Sequence, residues 1–173
     1  MLNNSQVILL VEDDENDVLL LQSAFEKAKL RAELKVVHNG QQVKDYLSGH
    51  GAFADRGRFP IPFLLLLDLR MPGTDGFQVL RWVRTQPELK CLLVVVLTSS
   101  NLQRDIDRAY ELGANSYLVK PSNLDGLMLM ARTLIGWLRL GHFAPVSGPD
   151  GAAEASSAGL FGAAGQALLR REA

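Results

Sequence analysis

Four short apolar runs recur along this chain, and a chemically reactive side chain follows or closes each of them. The runs are apolar at successive positions rather than at alternate ones, so both faces of each run must be buried; they lie at Val7–Val11, 63–67, 92–97 and 117–119. Segments with apolar residues at helical spacing separate them. Strands buried on both faces that alternate with helices are typical of a parallel sheet covered on both sides. The pattern therefore predicts a doubly wound α/β fold.

The elements between these runs can be assigned from periodicity and capping residues. Apolar spacing predicts a first helix over about residues 15–30, a short second strand at 34–37, a helix over about 103–112, and a last helix over about 123–140. Residues 49–62 have no clean period and exceed the usual length of a connection. We expect them to form a surface loop that could serve as a contact surface.

The length and composition suggest one domain with a C-terminal extension. A chain of 173 residues that is 47% hydrophobic can bury one core of ordinary size. The composition shifts to Ala, Gly, Ser and Pro near the C-terminus. We expect a domain over residues 1–141 and a tail over 142–173 that is flexible or becomes ordered on a partner.

Charge and cysteine usage exclude several classes of function. The net charge is −1 and the basic residues are dispersed, so we expect no direct binding to nucleic acid or to an anionic membrane. Cys91 is the single cysteine, which rules out a disulfide or a thiolate metal site within one chain. The N-terminus does not resemble a signal peptide, and no apolar run approaches the ~20 residues of a membrane span. A cytoplasmic location is the expectation.

The polar residues at the strand ends form the candidate site. They are Glu12, Asp13, Asp68, Thr98 and Lys120. Parallel strands bring their carboxyl ends to one edge of the sheet, where ligands of open α/β sheets bind. Three carboxylates this close repel one another unless a cation neutralises them, and oxygen ligands without His or Cys favour Mg²⁺ over zinc.

Each of these side chains can be given a chemical role. Asp68 is the candidate nucleophile toward phosphorus, because an aspartate can form a covalent acyl phosphate. Glu12 and Asp13 would hold the metal, directly and through water. Lys120 and Thr98 would contact phosphoryl oxygens. Taken singly, each residue also has an ordinary structural explanation as a helix cap, a strand residue or a loop charge.

Four motifs together resemble the response-regulator receiver family. They read ILLVEDD at 8–14, LLDLRMPGTDG at 66–76, VLTS at 96–99 and YLVKP at 117–121. The resemblance spans about residues 7–140. It implies a flavodoxin-like, CheY-like sheet of five parallel strands in the order 2-1-3-4-5.

The resemblance also implies a Mg²⁺-dependent phosphoacceptor. The phosphohistidine of a histidine kinase would donate its phosphoryl group to Asp68. Glu12, Asp13 and Asp68 would bind Mg²⁺ together with the backbone carbonyl of Arg70. Such a protein assists its own phosphorylation and dephosphorylation but is not an enzyme acting on other substrates.

A conformational switch is a further implication of the resemblance. In that family the residue matching Thr98 moves toward the phosphoryl group, and an aromatic residue on the last strand, here Tyr117, rotates inward. The family's Lys-Pro pattern implies a cis bond before Pro121, which would aim Lys120 into the site.

A narrower resemblance concerns the partners. The long loop at 49–62 and the extended last helix are similar to those of single-domain regulators paired with phytochrome-type histidine kinases. This resemblance favours a homodimer formed through the last strands and helix, where four apolar residues would exceed what one core needs; they are Leu127, Met130, Leu134 and Trp137.

Two alternatives remain open from the sequence. A Mg²⁺-dependent phosphohydrolase would use related chemistry, but its nucleophile usually follows the first strand, with a second Asp two residues later. A docking module that works without phosphate would retain these residues without using them. The leading interpretation is a stand-alone phosphoacceptor that signals through protein contacts with a downstream partner that the sequence does not identify.

Overall fold

The computed structural model describes residues 6–141, and its centre is a five-stranded parallel sheet. Chain order numbers the strands β1 to β7, and β4 and β5 form a separate two-stranded antiparallel ribbon. The large sheet has the order β2-β1-β3-β6-β7, which is 2-1-3-4-5 when only its own strands are counted, so the predicted order is confirmed. The strands are β1 (Val7–Val11), β2 (Glu33–Val37), β3 (Leu64–Leu67), β4 (Arg70–Met71), β5 (Thr74–Asp75), β6 (Leu93–Thr98) and β7 (Ser116–Val119).

Five helices cover both faces of the sheet. Helices α1 and α5 contribute to one apolar cluster, and α2, α3 and α4 to the other. The helices are α1 (Glu15–Lys27), α2 (Gly40–Ser48), α3 (Gly76–Thr85), α4 (Gln103–Glu111) and α5 (Leu124–Leu140). Strands β1, β3 and β6 are buried throughout, as the unbroken apolar runs predict. The same prediction is wrong for the run at 117–119, because β7 is an edge strand of the sheet and is only partly buried.

Side-chain caps define where several helices begin. Asp14 accepts hydrogen bonds from the backbone N–H groups of Asn16 and Asp17 at the start of α1. Asn39, Asp75 and Asn123 cap other helices in the same way. The predicted first helix extends too far: α1 ends at Lys27, and Lys29 adopts a left-handed backbone with φ of 58° that cannot continue a right-handed helix.

The predicted loop at 49–62 contains no strand or α-helix, but it packs closely against the core. The Arg56 guanidinium donates hydrogen bonds to the carbonyl oxygens of Tyr46 (2.7 Å) and Leu47 (2.8 Å) near the end of α2, and to that of Phe59 (3.2 Å). The rings of Tyr46, Phe53 and Phe59 contact one another with centroids 5.1 to 5.9 Å apart. The loop therefore has its own stabilising contacts.

Two expectations about the C-terminal part of the chain are wrong. The bond before Pro121 is trans, since no cis peptide occurs among the described residues. Leu127 and Leu134 are buried against the sheet and Met130 packs partly against the same cluster, because the helical period directs them inward; of the four predicted surplus residues, Trp137 is exposed, at 38%.

The remaining expectations about segments fall partly outside the structure. The predicted tail over 142–173 lies outside the described residues. Within residues 6–141, none of the helices has the length and apolar character that a membrane crossing requires.

Candidate functional site

The strand ends of the large sheet bring the predicted site residues together. Backbone hydrogen bonds continue the ladder beyond the strands: the Asp68 N–H donates to the Val11 carbonyl (3.1 Å), and the Lys120 N–H donates to the Thr98 carbonyl (2.8 Å). These bonds fix the backbone of Asp68 and of Lys120, so both side chains begin at the same edge of the sheet. We call this edge, where the strands have their carboxyl ends, the carboxyl edge.

Three carboxylates at the carboxyl edge form a compact oxygen cluster. Glu12, Asp13 and Asp68 each offer one oxygen, and these oxygens lie within 4.8 Å of one another. Glu12 and Asp68 are only 1% and 6% exposed, whereas Asp13 is partly open to solvent. Buried like charges at this spacing require a neutralising cation, and an all-oxygen donor set fits a hard divalent ion.

Lys120 supplies a positive charge inside this cluster. Its Nζ donates to Asp68 Oδ2 (2.7 Å), to Asp17 Oδ2 (3.0 Å) and to Glu12 Oε2. Burial alone would lower the pKa of the Lys120 ammonium, but the hydrogen bonds that it donates to Asp68 and Glu12 outweigh burial and raise that pKa. Burial also raises the pKa of the Glu12 carboxyl, although Lys120 opposes this. The ammonium stays protonated near neutral pH.

Two residues near this cluster were not predicted from the sequence to belong to the site. Asp17 lies in the first turn of α1, so an acid one turn beyond the helix cap was the available signal. His38 is half-buried, and its Nδ1 lies 3.0 Å from the Glu12 carbonyl oxygen.

The segment after Asp68 turns back sharply over the site. The Arg70 N–H donates to Asp68 Oδ1 (3.1 Å), and the Gly76 N–H donates to the Leu69 carbonyl (3.2 Å). A Cβ at Gly76 would lie 2.5 Å from the Asp68 carbonyl oxygen, so this close approach requires glycine. The Asp-Gly pair in the motif thus has two structural tasks, since Asp75 caps α3 and Gly76 allows the turn.

Ser100 connects the site to β7 and α4. Its backbone N–H lies 3.5 Å from Thr98 Oγ1, and its carbonyl accepts the Tyr117 hydroxyl (3.0 Å). Burial raises the pKa of the Tyr117 phenol, partly opposed by this bond. The Ser100 hydroxyl donates to Asp105 on α4 (2.6 Å), so one buried residue contacts the predicted switch residues and the next helix.

Helix α4 is held mainly by polar contacts. Ala109 is its only buried residue. Arg70 lies near Ser100 and Asp105, and Arg108 lies 3.6 Å from Asp75 and stacks over the Phe77 ring. Few apolar contacts mean that charge changes at the site can alter how α4 is held. Asp105 was not anticipated, because its partners Ser100 and Arg70 lie outside α4, and the helical pattern gives no sign of them.

The family and its relatives match most of the chain. The Response regulator receiver domain family matches residues 8–132. The response regulator Rcp1 of Synechocystis sp. is 38% identical over 130 residues, which cover 75% of this chain and 86% of Rcp1. The segment that the family matches therefore spans the positions of all the residues of the carboxyl edge.

Solved structures of similar proteins share the fold. The response regulator RPA3017 in red light signaling of R. palustris is 36% identical with a TM-score of 0.77, covering 80% of this chain and 98% of RPA3017. The phosphorylated cyanobacterial phytochrome response regulator RcpA is 33% identical with a TM-score of 0.73, covering 80% and 97%. The Mn²⁺-bound form of the response regulator Rcp1 is 36% identical with a TM-score of 0.71, covering 80% of this chain and 99% of Rcp1.

Proposed function

Because this chain belongs to the response regulator receiver domain family, we propose that Asp68 accepts a phosphoryl group from the phosphohistidine of a histidine kinase in a Mg²⁺-dependent reaction. The observation that carries this proposal is the contact of Lys120 with Asp68 within a cluster of three carboxylates. A buried cation beside a nucleophilic carboxylate is the arrangement that phosphoryl transfer needs.

The covalent step is a simple exchange of partners. An Asp68 oxygen attacks phosphorus as the bond from phosphorus to one imidazole nitrogen of the kinase breaks. The other ring nitrogen carries a proton, so the electron pair of the broken bond becomes the lone pair of a neutral imidazole. Bound Mg²⁺ would neutralise phosphoryl charge at this point. Glu12, Asp13, Asp68 and the Arg70 carbonyl are the ligands we propose for it.

Two further side chains would contact the transferred group. Lys120 is close enough to Asp68 to pair with a phosphoryl oxygen, and its raised pKa keeps it charged. Thr98 is buried at the end of β6 and has a hydroxyl that can donate a hydrogen bond. These two groups stabilise charge rather than transfer protons.

We propose that Thr98 and Tyr117 then transmit the change. Ser100 donates hydrogen bonds to Thr98 and Asp105 and accepts one from the Tyr117 hydroxyl. These bonds support the route, because a move of Thr98 alters the same backbone that Tyr117 holds. A new charge at Asp68 would thereby bias the position of α4. The output is a protein contact, and the protein is not an enzyme toward other substrates.

The names of the relatives support a proposal for the kinase partner. The names of RcpA and RPA3017 link them to phytochrome and red light signaling, which supports a phytochrome-type histidine kinase as the donor. A homodimer through α5 is supported by the exposure of Leu129, Trp137 and Leu140 on that helix. A cytoplasmic location is consistent with a histidine kinase as donor.

The test is phosphoryl uptake measured by intact mass. Incubated with a small acyl phosphate and Mg²⁺, the wild-type protein should gain one phosphoryl group, and chelation of the metal should prevent the gain. Asp68→Asn should gain none, because the amide oxygen is a poor nucleophile. Asp107→Asn on the exposed side of α4 is the matched control and should gain one group.

Two results would contradict the assignment. Uptake by Asp68→Asn would move the phosphoacceptor elsewhere. A wild-type protein that gains no mass and binds no divalent ion would instead favour the docking module that works without phosphate.

A further inference from the structure

Lys120 makes one contact that the acidic cluster does not explain. Its ammonium has three N–H donors, and each reaches a different carboxylate: Glu12, Asp17 or Asp68. Glu12 and Asp68 belong to the cluster of three carboxylates, together with Asp13. Asp17 does not belong to it, and its side chain is 42% exposed.

A divalent cation and Lys120 compete for the same two carboxylates. The ammonium is hydrogen-bonded to one oxygen of Glu12 and one oxygen of Asp68, and both groups are proposed metal ligands. Two cations sharing these oxygens repel each other strongly in a site that excludes most water. When the metal binds, Lys120 must weaken at least one of these contacts, and Asp17 is then the carboxylate that remains available to it.

We propose that Asp17 is a positioning residue that retains Lys120 at the carboxyl edge while a divalent cation occupies Glu12, Asp13 and Asp68. This inference rests on the proposed function. It gives Lys120 two states: shared among three carboxylates without metal, and held mainly by Asp17 with metal, from where the ammonium can reach a phosphoryl group on Asp68.

The surroundings of Asp17 suit this role. Its backbone N–H lies 3.4 Å from the capping oxygen of Asp14, and buried Val18 and Leu21 anchor α1 on the sheet, so the backbone of Asp17 is fixed. Its carboxylate is half-exposed and can follow the ammonium. The Lys120 side chain is only 8% exposed, so it has little room to leave the site for solvent.

An alternative is that Asp17 acts only through its charge in the first turn of α1. Such a charge would attract any cation nearby, whether or not Lys120 were present. We call the positioning of Lys120 by Asp17 the tether, and the attraction of any cation by the Asp17 charge the field. The tether changes metal affinity only when Lys120 is present, whereas the field does so with or without Lys120. Removing Lys120 therefore distinguishes them.

The experiment measures Mn²⁺ affinity of the full chain from the free-ion electron paramagnetic resonance signal. Asp17→Asn should weaken binding about threefold to fivefold, because Lys120 then stays on Glu12 and Asp68 and competes with the metal. Lys120→Met should tighten binding. In the Lys120→Met background, adding Asp17→Asn should change the affinity by less than about twofold.

Matched variants control for charge and folding. Glu15→Gln removes an exposed acid from the same turn and should change Mn²⁺ affinity by less than about twofold in either background. Asp17→Glu restores the carboxylate and should recover most of the lost affinity. Circular dichroism melting curves should show each variant folded at the temperature of measurement.

The outcomes separate the two levels of the proposal. If Asp17→Asn weakens Mn²⁺ binding equally with and without Lys120, the tether is wrong and only the field remains. If the wild-type protein does not bind Mn²⁺ at all, the proposed metal-dependent function fails, and the tether fails with it.

Discussion

The two edges of the same sheet each hold a cationic side chain, but its partners are carboxylates at one edge and uncharged carbonyl oxygens at the other. At the carboxyl edge, Lys120 lies among the carboxylates of Glu12, Asp17 and Asp68. At the other edge, Arg84 of α3 donates to carbonyl oxygens near the starts of β6 and β7. We call this second region the amino edge.

The hydrogen-bond acceptors of Arg84 are all uncharged oxygens. Its guanidinium donates to the carbonyls of Gly113 (2.9 Å), Leu92 (3.0 Å) and Leu89 (3.4 Å), and to the Asn115 side-chain oxygen (2.9 Å). Burial lowers the pKa of this group, yet the acceptors can only be satisfied by a donor that stays protonated. No second cation could replace it there without breaking backbone contacts.

This contrast assigns different tasks to the two edges: the amino edge stabilises the fold, and the carboxyl edge is suited to a function that depends on charge. Oxygen acceptors hold Arg84 in one arrangement that joins two connections, the one between α3 and β6 and the one between α4 and β7, so the amino edge acts as a clamp. The carboxylates at the carboxyl edge carry more negative charge than one lysine can neutralise. A further cation would therefore stabilise this edge. In the proposed function, this excess charge is the property by which the carboxyl edge would respond to metal and phosphate.

The largest expected effect is at the amino edge. Arg84→Met should lower the free energy of unfolding by about 2–4 kcal/mol, because several buried carbonyl oxygens lose a charged donor. Chemical denaturation with and without Mg²⁺ measures it, and the loss should be equal in both conditions. Arg81→Met on the exposed side of α3 is the control and should change stability by less than about 0.5 kcal/mol.

Phosphoryl uptake per folded molecule should be unchanged in Arg84→Met. If Mg²⁺ abolished the loss of stability in Arg84→Met, the two edges would be energetically coupled, and the contrast between them would be wrong.

An effect of opposite sign is expected at the carboxyl edge. Asp13→Asn should raise the free energy of unfolding by about 1 kcal/mol in the presence of a chelator, since it removes repulsion within the cluster of three carboxylates. Saturating Mg²⁺ should abolish the gain, because the wild-type acid then has a cation to bind. Glu15→Gln, an exposed acid nearby, should show neither change. If Asp13→Asn were instead less stable than the wild type in the presence of a chelator, charge repulsion within the cluster would not be destabilising the fold.

A further effect, of similar size, concerns the pH dependence of stability at Tyr46 on α2. Tyr46 is buried and donates its hydroxyl to the Pro60 carbonyl (3.1 Å), and burial raises its pKa from 10.0 to about 12. A raised pKa means that the folded state holds the proton more tightly, so this stability is complete below pH 10.0 and is lost as pH rises toward 12.

The measurement compares unfolding of wild type and Tyr46→Phe. Relative to the variant, the wild type should lose about 1 kcal/mol between about pH 9 and pH 11. A difference that stays constant over this range would show that the phenol does not titrate with a raised pKa. Mg²⁺ should have no influence on this difference, in contrast to the effect of Asp13→Asn.

Much of the carboxyl edge could be predicted because its residues directly follow apolar strands. The positions of Glu12, Asp68 and Lys120 depend only on strand direction, which the unbroken apolar runs indicate. The lengths of elements were less predictable. The end of α1 depends on the left-handed backbone at Lys29, and the burial of Leu127 and Leu134 depends on which face of α5 meets the sheet.

Contacts between side chains from distant segments could not be predicted. Asp17 and Lys120 are 103 residues apart, and Ser100 meets Tyr117 and Asp105 through three separate elements. Arg84 resembles any helical arginine in the sequence, since its acceptors are backbone carbonyls that carry no sequence signature.

The sequence by itself determined the parallel sheet, the family and the set of reactive groups at one edge, because strand periodicity and strand-end chemistry are local properties. Only the tertiary structure decided that Lys120 is shared by three carboxylates and that Arg84 closes the opposite edge. Those arrangements depend on distances across strands and helices, and the energy of a charge depends on every neighbour within a few ångströms.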